Sequence, residues 1–425
     1  MEQTRFLIIG AGVTGLAFAG RLANRDYLVC EAEQEIGGYC RTVVKDGFVW
    51  DYSGHFFHFQ KPDIERDLVS KMGSERVRRI ERDARIHYAG RLIDFPFQRN
   101  IHQLPQPEFL ECLVGLFSRP TAPARNFREM LDAKYGRGIT DKFLVPYNEK
   151  LYATDLARLD VDAMGRFFPH ADAEDIVRGF GGKLKAGYNA TFTYPLGGAA
   201  EYIAALALDV DSAKISLGER VIEIDSRNKI AKTNKRIVAF EYLLSSAPLP
   251  RLLAACRVPF DESTYTYNKV LVFNLGFDRK GPRGIHWVYY PNKDTVFYRI
   301  GFYDNIFDTE RMSLYVEIGY PSQATLDAAE IASARARTLA DLERASVITE
   351  HRLVAEHHVV LDPAYVHITK ESLRDVAEHK SLLATRGIYS AGRYGSWTYC
   401  SIEDNIVEAR ALADRFNSLE RAGLG

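Results

Sequence analysis

The stretch FLIIGAGVTGLAFAGRLANRDYLVCEAE, residues 6–33, carries the strongest structural signal in this 425-residue chain. A short apolar run leads into Gly10, Gly12 and Gly15, a Gly-x-Gly-x-x-Gly motif, and small residues typical of a close-packed helix follow. A second apolar run ends at Glu31, at the spacing of about 20 residues expected for an acid that binds a ribose hydroxyl. The pattern predicts a strand, helix and strand whose helix N-terminus receives a pyrophosphate.

The residues that follow favour FAD over NAD as the dinucleotide. EIGGYCRT, residues 35–42, adds a second glycine pair, Gly37 and Gly38, and a cation, Arg41. This continuation resembles the FAD-dependent amine oxidase-like and mutase-like flavoproteins, in which basic and backbone groups hold an extended dinucleotide. A plain turn followed by a surface arginine is the alternative interpretation.

Two further segments are expected to complete the cofactor site. ERVIEIDSRNKIAKTN (219–234) and YLLSSAPLP (242–250) read as strands of the same sheet, with Val221 as the backbone contact to adenine. RGIYSAGRYGSWTYCSIEDNIVEARALADRF (386–416) reads as a strand, a polar loop and an amphipathic helix that begins at the flavin. The candidate cofactor residues of that segment are Gly392, Arg393, Glu403, Asp404 and Asn405.

Length and composition set the remaining limits. A chain of this length exceeds one ordinary core. The formal net charge of -1 gives no global field for nucleic acid or membranes. The sequence contains no apolar run long enough to span a bilayer, and its N-terminus leaves no room for a signal peptide. Five scattered cysteines predict reduced thiols and a cytoplasmic protein.

The predicted fold class is α/β: a Rossmann-like FAD-binding domain with an inserted helical domain and an antiparallel β-sheet domain. The FAD domain is expected to be discontinuous, over residues 1–90, 191–255 and 355–425. A mostly helical substrate domain is expected at 98–190. Strands at 269–277, 287–303 and 313–320 predict an antiparallel sheet within 256–354, covered by a helix at 323–345.

The inserted motifs resemble a more specific family. FPFQRN (95–100), FLVPYNEKLYA (143–153), YNATFTYP (188–195), WVYYP with FYR (287–291 and 297–299) and GRYGSWTY (392–399) are similar to the UDP-galactopyranose mutases, particularly their eukaryotic-type branch. The resemblance implies an isomerase that interconverts UDP-galactopyranose and UDP-galactofuranose, with N5 of reduced FAD attacking the anomeric carbon. It also implies a UDP-sugar substrate and an external reductant such as NADPH or NADH.

A departing diphosphate needs cations and hydroxyl donors. The resemblance assigns these roles to Arg299 and Arg166 and to the phenols of Tyr289, Tyr365 and Tyr399. A guanidinium fork suits phosphate oxygens. Taken alone, Arg299 would more commonly be a strand arginine paired with a surface acid, and each tyrosine a core residue with one hydrogen bond.

Uridine needs stacking surfaces and amides, which both donate and accept hydrogen bonds. The matching substrate-binding candidates are Phe97, Gln98, Phe143, Tyr147, Asn148, Tyr152 and Trp287, with Asn189 on the galactose. The alternatives are a helix cap for Asn148, a core position for Trp287 and a turn for Asn189. The resemblance places Arg393 beside the flavin, and the alternative for it is a buried salt bridge.

The stretch DYSGHFFHF, residues 51–59, matches the family's Gly-His loop beside the flavin ring. Gly54 would give the backbone freedom to change conformation, and His55 would pack or hydrogen-bond near N5. No metal is expected, because His55 and His58 lack a third ligand at a recognisable spacing. His58 is interpreted as packing.

The chain departs from the family pattern at Phe95, Tyr152, 366–368 and 401–404, where Glu403 or Asp404 places an extra acid near the flavin. These departures leave a different nucleotide sugar open. An FAD-dependent amine or protoporphyrinogen-type oxidoreductase, and a non-catalytic nucleotide-sugar-binding protein that retains FAD, are the competing interpretations. A homo-oligomer is left open.

Overall fold

A computed structural model describes residues 1–181 and 190–422. Its strands are β1 (Glu2–Ile9), β2 (Tyr27–Cys30), β3 (Thr42–Lys45), β4 (Phe48–Asp51), β5 (Val77–Glu81), β6 (Ala84–Tyr88), β7 (Arg91–Asp94), β8 (Thr191–Pro195), β9 (Ile215–Ser216), β10 (Val221–Asp225), β11 (Ile230–Thr233), β12 (Ile237–Ser245), β13 (Asn268–Phe277), β14 (Trp287–Tyr289), β15 (Arg299–Phe302), β16 (Ser313–Pro321), β17 (Leu353–Leu361) and β18 (Ile388–Ser390).

Its helices are α1 (Val13–Arg21), α2 (Pro62–Met72), α3 (Gln106–Phe117), α4 (Phe127–Ile139), α5 (Val145–Tyr152), α6 (Ala173–Gly179), α7 (Ala200–Ala207), α8 (Leu249–Ala255), α9 (Tyr303–Phe307), α10 (Ala328–Arg344), α11 (Lys370–Ala384), α12 (Gly392–Gly395) and α13 (Ile402–Arg421). A π-helical turn, Thr140–Leu144, joins α4 to α5.

The first sheet has the predicted Rossmann-like core. Strand β1 lies between β2 and β12, parallel to both, and Leu7 lies opposite Leu28 and Leu243. Strand β18 adds to β12 in parallel, and the antiparallel pair β10–β11 joins the other part of β12. The apolar run of β1 is buried because helices cover both faces of a parallel sheet. The segments at 219–234 and 242–250 therefore belong to this sheet, as predicted.

Two glycines allow α1 to start against the sheet. Gly10 has φ +97°, a conformation that other residues rarely adopt. A Cβ at Gly15 would lie 1.9 Å from the carbonyl oxygen of Gly10. The helix N-terminus can therefore approach the end of β1, where the dinucleotide motif requires it.

The second sheet has the strand order β17-β13-β16-β15-β14-β6-β7. Pairing is antiparallel except between β14 and β6. Helix α10 covers this sheet, as expected, with Ala334 and Leu342 packed in one cluster with Phe273 and Val316. The α/β fold class, with its inserted helical and antiparallel parts, is thus confirmed.

The domain boundaries remain a prediction, but strands from the predicted FAD-binding ranges pair into the antiparallel sheet. Strand β6 lies within 1–90 and most of β17 within 355–425, and both hydrogen-bond into the antiparallel sheet. The reason is that Ala84 to Ile86 pair with β14, while β17 pairs along nearly the whole of β13. These are long-range pairings that local periodicity does not indicate.

Glycines also determine how the helical segment packs. Gly136 has φ +72°, and a Cβ there would lie 2.0 Å from the carbonyl oxygen of Gly115 on α3. A Cβ at Gly319 on β16 would lie 2.1 Å from the carbonyl oxygen of Lys150 on α5. Backbones therefore meet directly at the α3–α4 crossing and where α5 crosses the antiparallel sheet.

Two further observations bear on the expectations from composition. All five cysteines are free thiols. Over residues 1–181 and 190–422, none of the helices is both long enough and apolar enough to cross a membrane.

Candidate active site

A cleft of about 650 Å³ lies between the two sheets and is lined by residues of both. It begins at Gly10 and Gly12, at the N-terminus of α1, passes the loop at Gly54 and His55, and ends among Arg299, Tyr365 and Tyr399. The dinucleotide motif and the FYR and GRYGSWTY motifs therefore face a single space.

Hydrogen bonds to the backbone organise the dinucleotide end of the cleft. The carboxylate of Glu31 is buried and accepts hydrogen bonds from the backbone N–H of Ala11 at 2.7 Å and of Glu33 at 2.9 Å. The N–H of Gly37 donates to the carbonyl of Ala11 at 2.9 Å. Glu31 still lines the cleft and retains free lone pairs. Gly37, Gly38 and Val221 line it too.

The sequence predicts that Arg41 faces a phosphate of the cofactor, but its guanidinium is directed elsewhere in the structure. Its guanidinium donates to the carbonyl oxygens of Ile36 and Glu35, and it is not among the cleft-lining residues. Its predicted role at the cofactor stays a prediction.

The C-terminal segment contacts α1 through Gly392 and Asn405. A Cβ at Gly392, which has φ +82°, would lie 2.2 Å from the Thr14 hydroxyl. The Asn405 amide oxygen accepts from the Arg393 N–H at 2.7 Å and from the Thr14 hydroxyl at 3.1 Å. Arg393 is thereby presented to the cleft, as is Asn405.

Arg393 is surrounded by aromatic rings and carbonyls. Its guanidinium lies 5.1 Å from the ring centre of Tyr365 and 4.9 Å from that of Tyr399. It donates to the carbonyls of Cys400 and Ala364, at 3.2 and 3.3 Å. Among the described residues it has no carboxylate partner, so the buried salt bridge that was its alternative interpretation is not observed there.

Glu403 and Asp404 do not line the cleft. Glu403 is buried and accepts from the backbone N–H groups of Gln60 and Lys61, at 2.9 and 2.8 Å. Asp404 caps α13 together with Ser401 and forms an ion pair with Arg166. Both carboxylates are thus engaged by the protein, and their effect on a flavin stays a prediction.

The residues of the cleft fit an FAD. Buried polar atoms that line it, Nδ1 of His55, Nε of Arg393 and Oγ of Ser245, have no hydrogen-bond partner in the described part of the chain. Such atoms are costly unless a ligand satisfies them. The glycine cradle and the buried Glu31 lie at the other end, at the place expected for the pyrophosphate and ribose.

The loop after β4 is held between the two sheets. A Cβ at Gly54 would lie 2.7 Å from the Tyr315 hydroxyl, and the Ser53 hydroxyl donates to Glu317. Burial lowers the pKa of His55 to about 4, which makes it a neutral group near pH 7. His58 bonds through Nδ1 to the carbonyl of Thr191, and burial lowers its pKa to about 4. This is consistent with the packing role expected of it.

Arg299 forms a bidentate ion pair with Glu317, its cross-strand neighbour, through Nε at 2.6 Å and Nη2 at 2.7 Å. The side chain of Arg299 is 18 % exposed and that of Glu317 is 1 % exposed. Arg299 is therefore paired with an acid, but the acid is buried and the guanidinium lines the cleft. The arginine can thus be held in place and still face a ligand.

Three predicted phenols surround this pair. The rings of Tyr365 and Tyr399 stack at 5.7 Å and both line the cleft. Tyr289 lies opposite Arg299 across β14 and β15, and its hydroxyl accepts from the indole N–H of Trp287 at 2.9 Å. Burial raises the pKa of Tyr365, so its phenol keeps its proton and can donate.

Arg166 lies at the rim and is exposed. Its guanidinium donates to Gln60 at 2.7 Å and to Asp404 at 2.5 Å, and lies 4.6 Å from the ring centre of Phe167. Phe167 lines the cleft and packs edge-on against Tyr399. Arg166 would have to exchange these partners to reach a ligand.

The predicted uridine residues form a buried layer beside the cleft. Phe97, Phe143 and Tyr147 stack in a row, with centroid distances of 5.1 and 5.3 Å, and Tyr147 meets Tyr289 edge-on at 5.1 Å. Tyr152 packs edge-on against Tyr365. The row therefore leads directly to the phenols around Arg299.

The amides of this layer are partly satisfied. Gln98 donates to the carbonyl of Pro169. Asn148 lies inside α5 and donates to the carbonyl of Leu144, the residue before the helix, so Asn148 is not a helix cap. Within residues 1–181 and 190–422, their amide oxygens are buried without partners. Trp287 stacks on Phe56 at 5.1 Å. Asn189 lies outside the described residues.

Sequence reasoning did not single out Glu317 and Ser53. Glu317 is the one charged residue in SLYVEIGY (313–320), a strand that is otherwise apolar or polar and uncharged. A lone acid at a buried strand position requires a cation, and that signal could have identified it.

Comparisons with known proteins agree with this geometry. A model of the NAD(P)-binding Rossmann-like domain matches residues 8–70. A reduced UDP-galactopyranose mutase has a TM-score of 0.90 and 25% identity, covering 99% of this chain and 95% of that one. A protein from Exiguobacterium sp. 255-15, provisionally named a protoporphyrinogen oxidase, has a TM-score of 0.77 and 17% identity, covering 97% and 98%.

Similarity to curated sequences is local. Protoporphyrinogen oxidase 2 of Arabidopsis thaliana is 36% identical over 62 residues, which are 14% of this chain and 12% of the relative. This chain thus spans about a tenth of the length of that relative. The predicted resemblance to UDP-galactopyranose mutases is confirmed at the level of structure, and the domain at the N-terminus is a Rossmann-like domain of the flavoenzyme type, which implies FAD.

Proposed function

We propose that this protein is a flavin-dependent mutase that interconverts UDP-galactopyranose and UDP-galactofuranose. The observation that carries the proposal is the likeness to a reduced UDP-galactopyranose mutase over 99% of this chain, at 25% identity and a TM-score of 0.90. The cleft adds support, because Arg299 and the phenols of Tyr365 and Tyr399 line it at the end away from the dinucleotide motif.

In this proposal Arg299 binds the diphosphate. Glu317 holds its guanidinium from behind, so part of the donor fork is preorganised toward the cleft. Tyr289, Tyr365 and Tyr399 donate hydrogen bonds to the phosphate oxygens, and Arg166 supplies a second cation after leaving Asp404. Removing one such donor costs about 3 kcal/mol in a transition state, by analogy with oxyanion holes.

The remaining predicted residues divide between uridine and cofactor. Phe97, Gln98, Asn148 and Tyr147 are proposed to recognise uracil, with Phe143, Tyr152 and Trp287 supporting them and Asn189 on the sugar. Reduced FAD would supply the nucleophile, and NADPH or NADH would reduce it. His55 enters the reaction as a neutral group, because burial lowers its pKa to about 4. The five free thiols support a cytoplasmic location for the protein.

The test is an anaerobic turnover assay. The holoenzyme is reduced with dithionite, UDP-galactofuranose is added, and the products are separated by ion-exchange chromatography. Conversion to the pyranose is expected only with the reduced protein. Arg299→Lys should remove most activity, whereas Arg335→Lys, in the exposed pair with Glu356, should retain it. Full reduction of the flavin without conversion of any UDP-hexose would overturn the proposal.

The alternative is an FAD-dependent oxidase, favoured by the TM-score of 0.77 to the Exiguobacterium protein. An oxidase of apolar substrates would have little use for the paired Arg299 and the stacked phenols. Oxygen uptake with peroxide release in the presence of an amine or a porphyrinogen, together with no mutase turnover, would favour it. Turnover of a different nucleotide sugar would keep the reaction class and change the substrate.

A further inference from the structure

One partly buried ammonium group joins helix α5 to the connection between β14 and β15. Nζ of Lys150 donates to the carbonyl of Tyr290 at 2.9 Å, the carbonyl of Asn292 at 2.8 Å and the hydroxyl of Thr295 at 3.1 Å. An ammonium has three donors, so all of its hydrogen-bonding capacity is directed at this single connection, the 290–298 loop.

Helix α5 and the strands that flank the 290–298 loop carry the two halves of the proposed substrate site. Tyr147 and Asn148 lie on α5, one turn or less before Lys150. The 290–298 loop begins directly after Tyr289 and ends directly before Arg299. The contact between Tyr147 and Tyr289, with ring centres 5.1 Å apart, bridges the two elements on the cleft side.

The backbone leaves α5 little room to move toward the sheet. A Cβ at Gly319 on β16 would lie 2.1 Å from the carbonyl oxygen of Lys150, so helix and strand are in direct backbone contact. The 290–298 loop is also held from its other side, where the Val296 N–H donates to Asp341 on α10 at 2.7 Å. Lys150 therefore links α5 to this loop through a partly buried charge, whereas Lys293 links the loop to α5 from an exposed position.

We propose that Lys150 is a positioning residue that fixes α5 against the 290–298 loop and thereby sets Tyr147 relative to Arg299. This inference rests on the proposed function, because it assigns the two fixed groups to the uridine and diphosphate ends of one nucleotide. Nothing in the role requires Lys150 to touch the substrate. Its loss should weaken nucleotide binding and leave the dinucleotide end of the cleft intact.

The protonation state of Lys150 offers a readout that packing alone would not give. Partial burial lowers its pKa to about 7, so the ammonium becomes a neutral amine as the pH rises above that value. A neutral amine has only two donors for the three acceptors. The other charged groups around it are Glu149 on α5, Lys293 and Asp294 in the loop, and Asp341 and Arg344 on α10.

The experiment measures UDP binding to the oxidised holoenzyme by isothermal titration calorimetry. Lys150→Met should raise the Kd for UDP about tenfold while the bound FAD per chain is unchanged. Lys293→Met is the matched control, because Lys293 links the same loop to Glu149 of α5 at 3.8 Å but is exposed. It should leave the Kd within about twofold of the wild-type value.

A pH series keeps the inference testable if Lys150→Met does not fold. Between about pH 7 and pH 9 the wild-type Kd for UDP should rise, and Lys293→Met should follow it. Lys150→Arg, whose guanidinium stays charged over this range, should show a flat profile. Wild-type affinity in Lys150→Met, or equal pH profiles in wild type and Lys150→Arg, would overturn the positioning role. No UDP binding by the wild type would instead overturn the proposed function, and this inference with it.

Discussion

Arg299 and Glu317 form a bidentate pair in which the carboxylate is almost completely removed from water. Such a pair is weak evidence for stability, because burying two charges offsets much of their attraction. Removing one partner is different, since it leaves the other charge without compensation. The pair is therefore best understood as a device that holds a cation at the cleft.

Glu317→Gln should destabilise the holoprotein by about 3 kcal/mol, because Arg299 would keep its charge and lose its partner. The Ser53 hydroxyl would lose its carboxylate acceptor as well. The urea midpoint of the folded holoprotein measures the effect. The control is Glu356→Gln, which breaks the exposed pair with Arg335 and should cost less than about 1 kcal/mol. Equal losses in the two variants would show that Glu317 is not an energetically distinct site.

The sequence singles out Arg299, one of the arginines that line the cleft, but not its partner. Arg299 was identified through the FYR motif, whereas Glu317 pairs with it only because β15 and β16 align in one particular register. That register depends on the chain between the two strands, which has no periodic pattern to fix it. Arg41 shows the opposite case: the predicted phosphate ligand has its guanidinium directed to nearby carbonyls.

Among the elements, α3 and α4 are the pair whose packing depends most directly on glycine. Gly136 combines φ +72° with a backbone oxygen that lies 2.0 Å from the position of a Cβ. Gly90, in the turn between β6 and β7, has the same φ of +72° but no atom within 4 Å of that position. Gly136 also has ψ 159°, a backbone region that is essentially restricted to glycine, so it combines greater conformational strain with close contact.

Gly90→Ala should cost about 1 kcal/mol, the usual penalty for a left-handed alanine. Gly136→Ala should cost at least about 2 kcal/mol more, because alanine avoids this backbone region and because α3 and α4 would have to separate. Thermal or urea unfolding of the two variants against wild type measures the difference. A similar small loss in both would mean that the helices can shift without penalty.

Strand assignments succeeded where a strand is long and apolar. The runs at 269–277 and 313–320 lie within β13 and β16, whose side chains are almost all buried. The stretch at 287–303 also reads as strand, and in the structure it contains two short strands, β14 and β15, on either side of the 290–298 loop. The pairing of β6 with β14 was not predictable, because the two strands lie far apart in sequence and pair in parallel.

For the whole molecule, sequence similarity and structural similarity cover different extents. The Rossmann-like family model matches residues 8–70, around the dinucleotide motif, and the curated relative from Arabidopsis thaliana matches 14% of the chain, whereas the likeness to the reduced mutase covers 99%. A glycine cradle tolerates few substitutions, while sheets and helices accept many side chains of suitable size. The proposed function therefore rests on the structural likeness together with Arg299 and its surroundings, because a fold alone does not determine a function.

The pH dependence of stability is also a property of the whole molecule. His55 and His58 each have a pKa lowered by burial to about 4, below the ordinary value near 6.5. The unfolded chain binds these protons first, so both histidines make stability fall as the pH drops from about 6.5 toward 4. Asp51 acts in the opposite direction, because burial raises its pKa to about 6 and the folded state keeps its proton longer. Burial also lowers the pKa of other histidines, including His286 and His367, so the histidines together outweigh Asp51.

The holoprotein should therefore unfold at a lower temperature at pH 5.0 than at pH 7.5. His58→Gln should reduce this difference, because glutamine has no proton to bind and can still donate to the carbonyl of Thr191. Differential scanning fluorimetry of both proteins at the two pH values, with FAD present throughout, measures it. Comparing the change in unfolding temperature between the two pH values removes any loss of stability that the substitution causes equally at both. If the variant lost as much stability on acidification as the wild type, His58 would not be among the groups whose protonation opposes the fold.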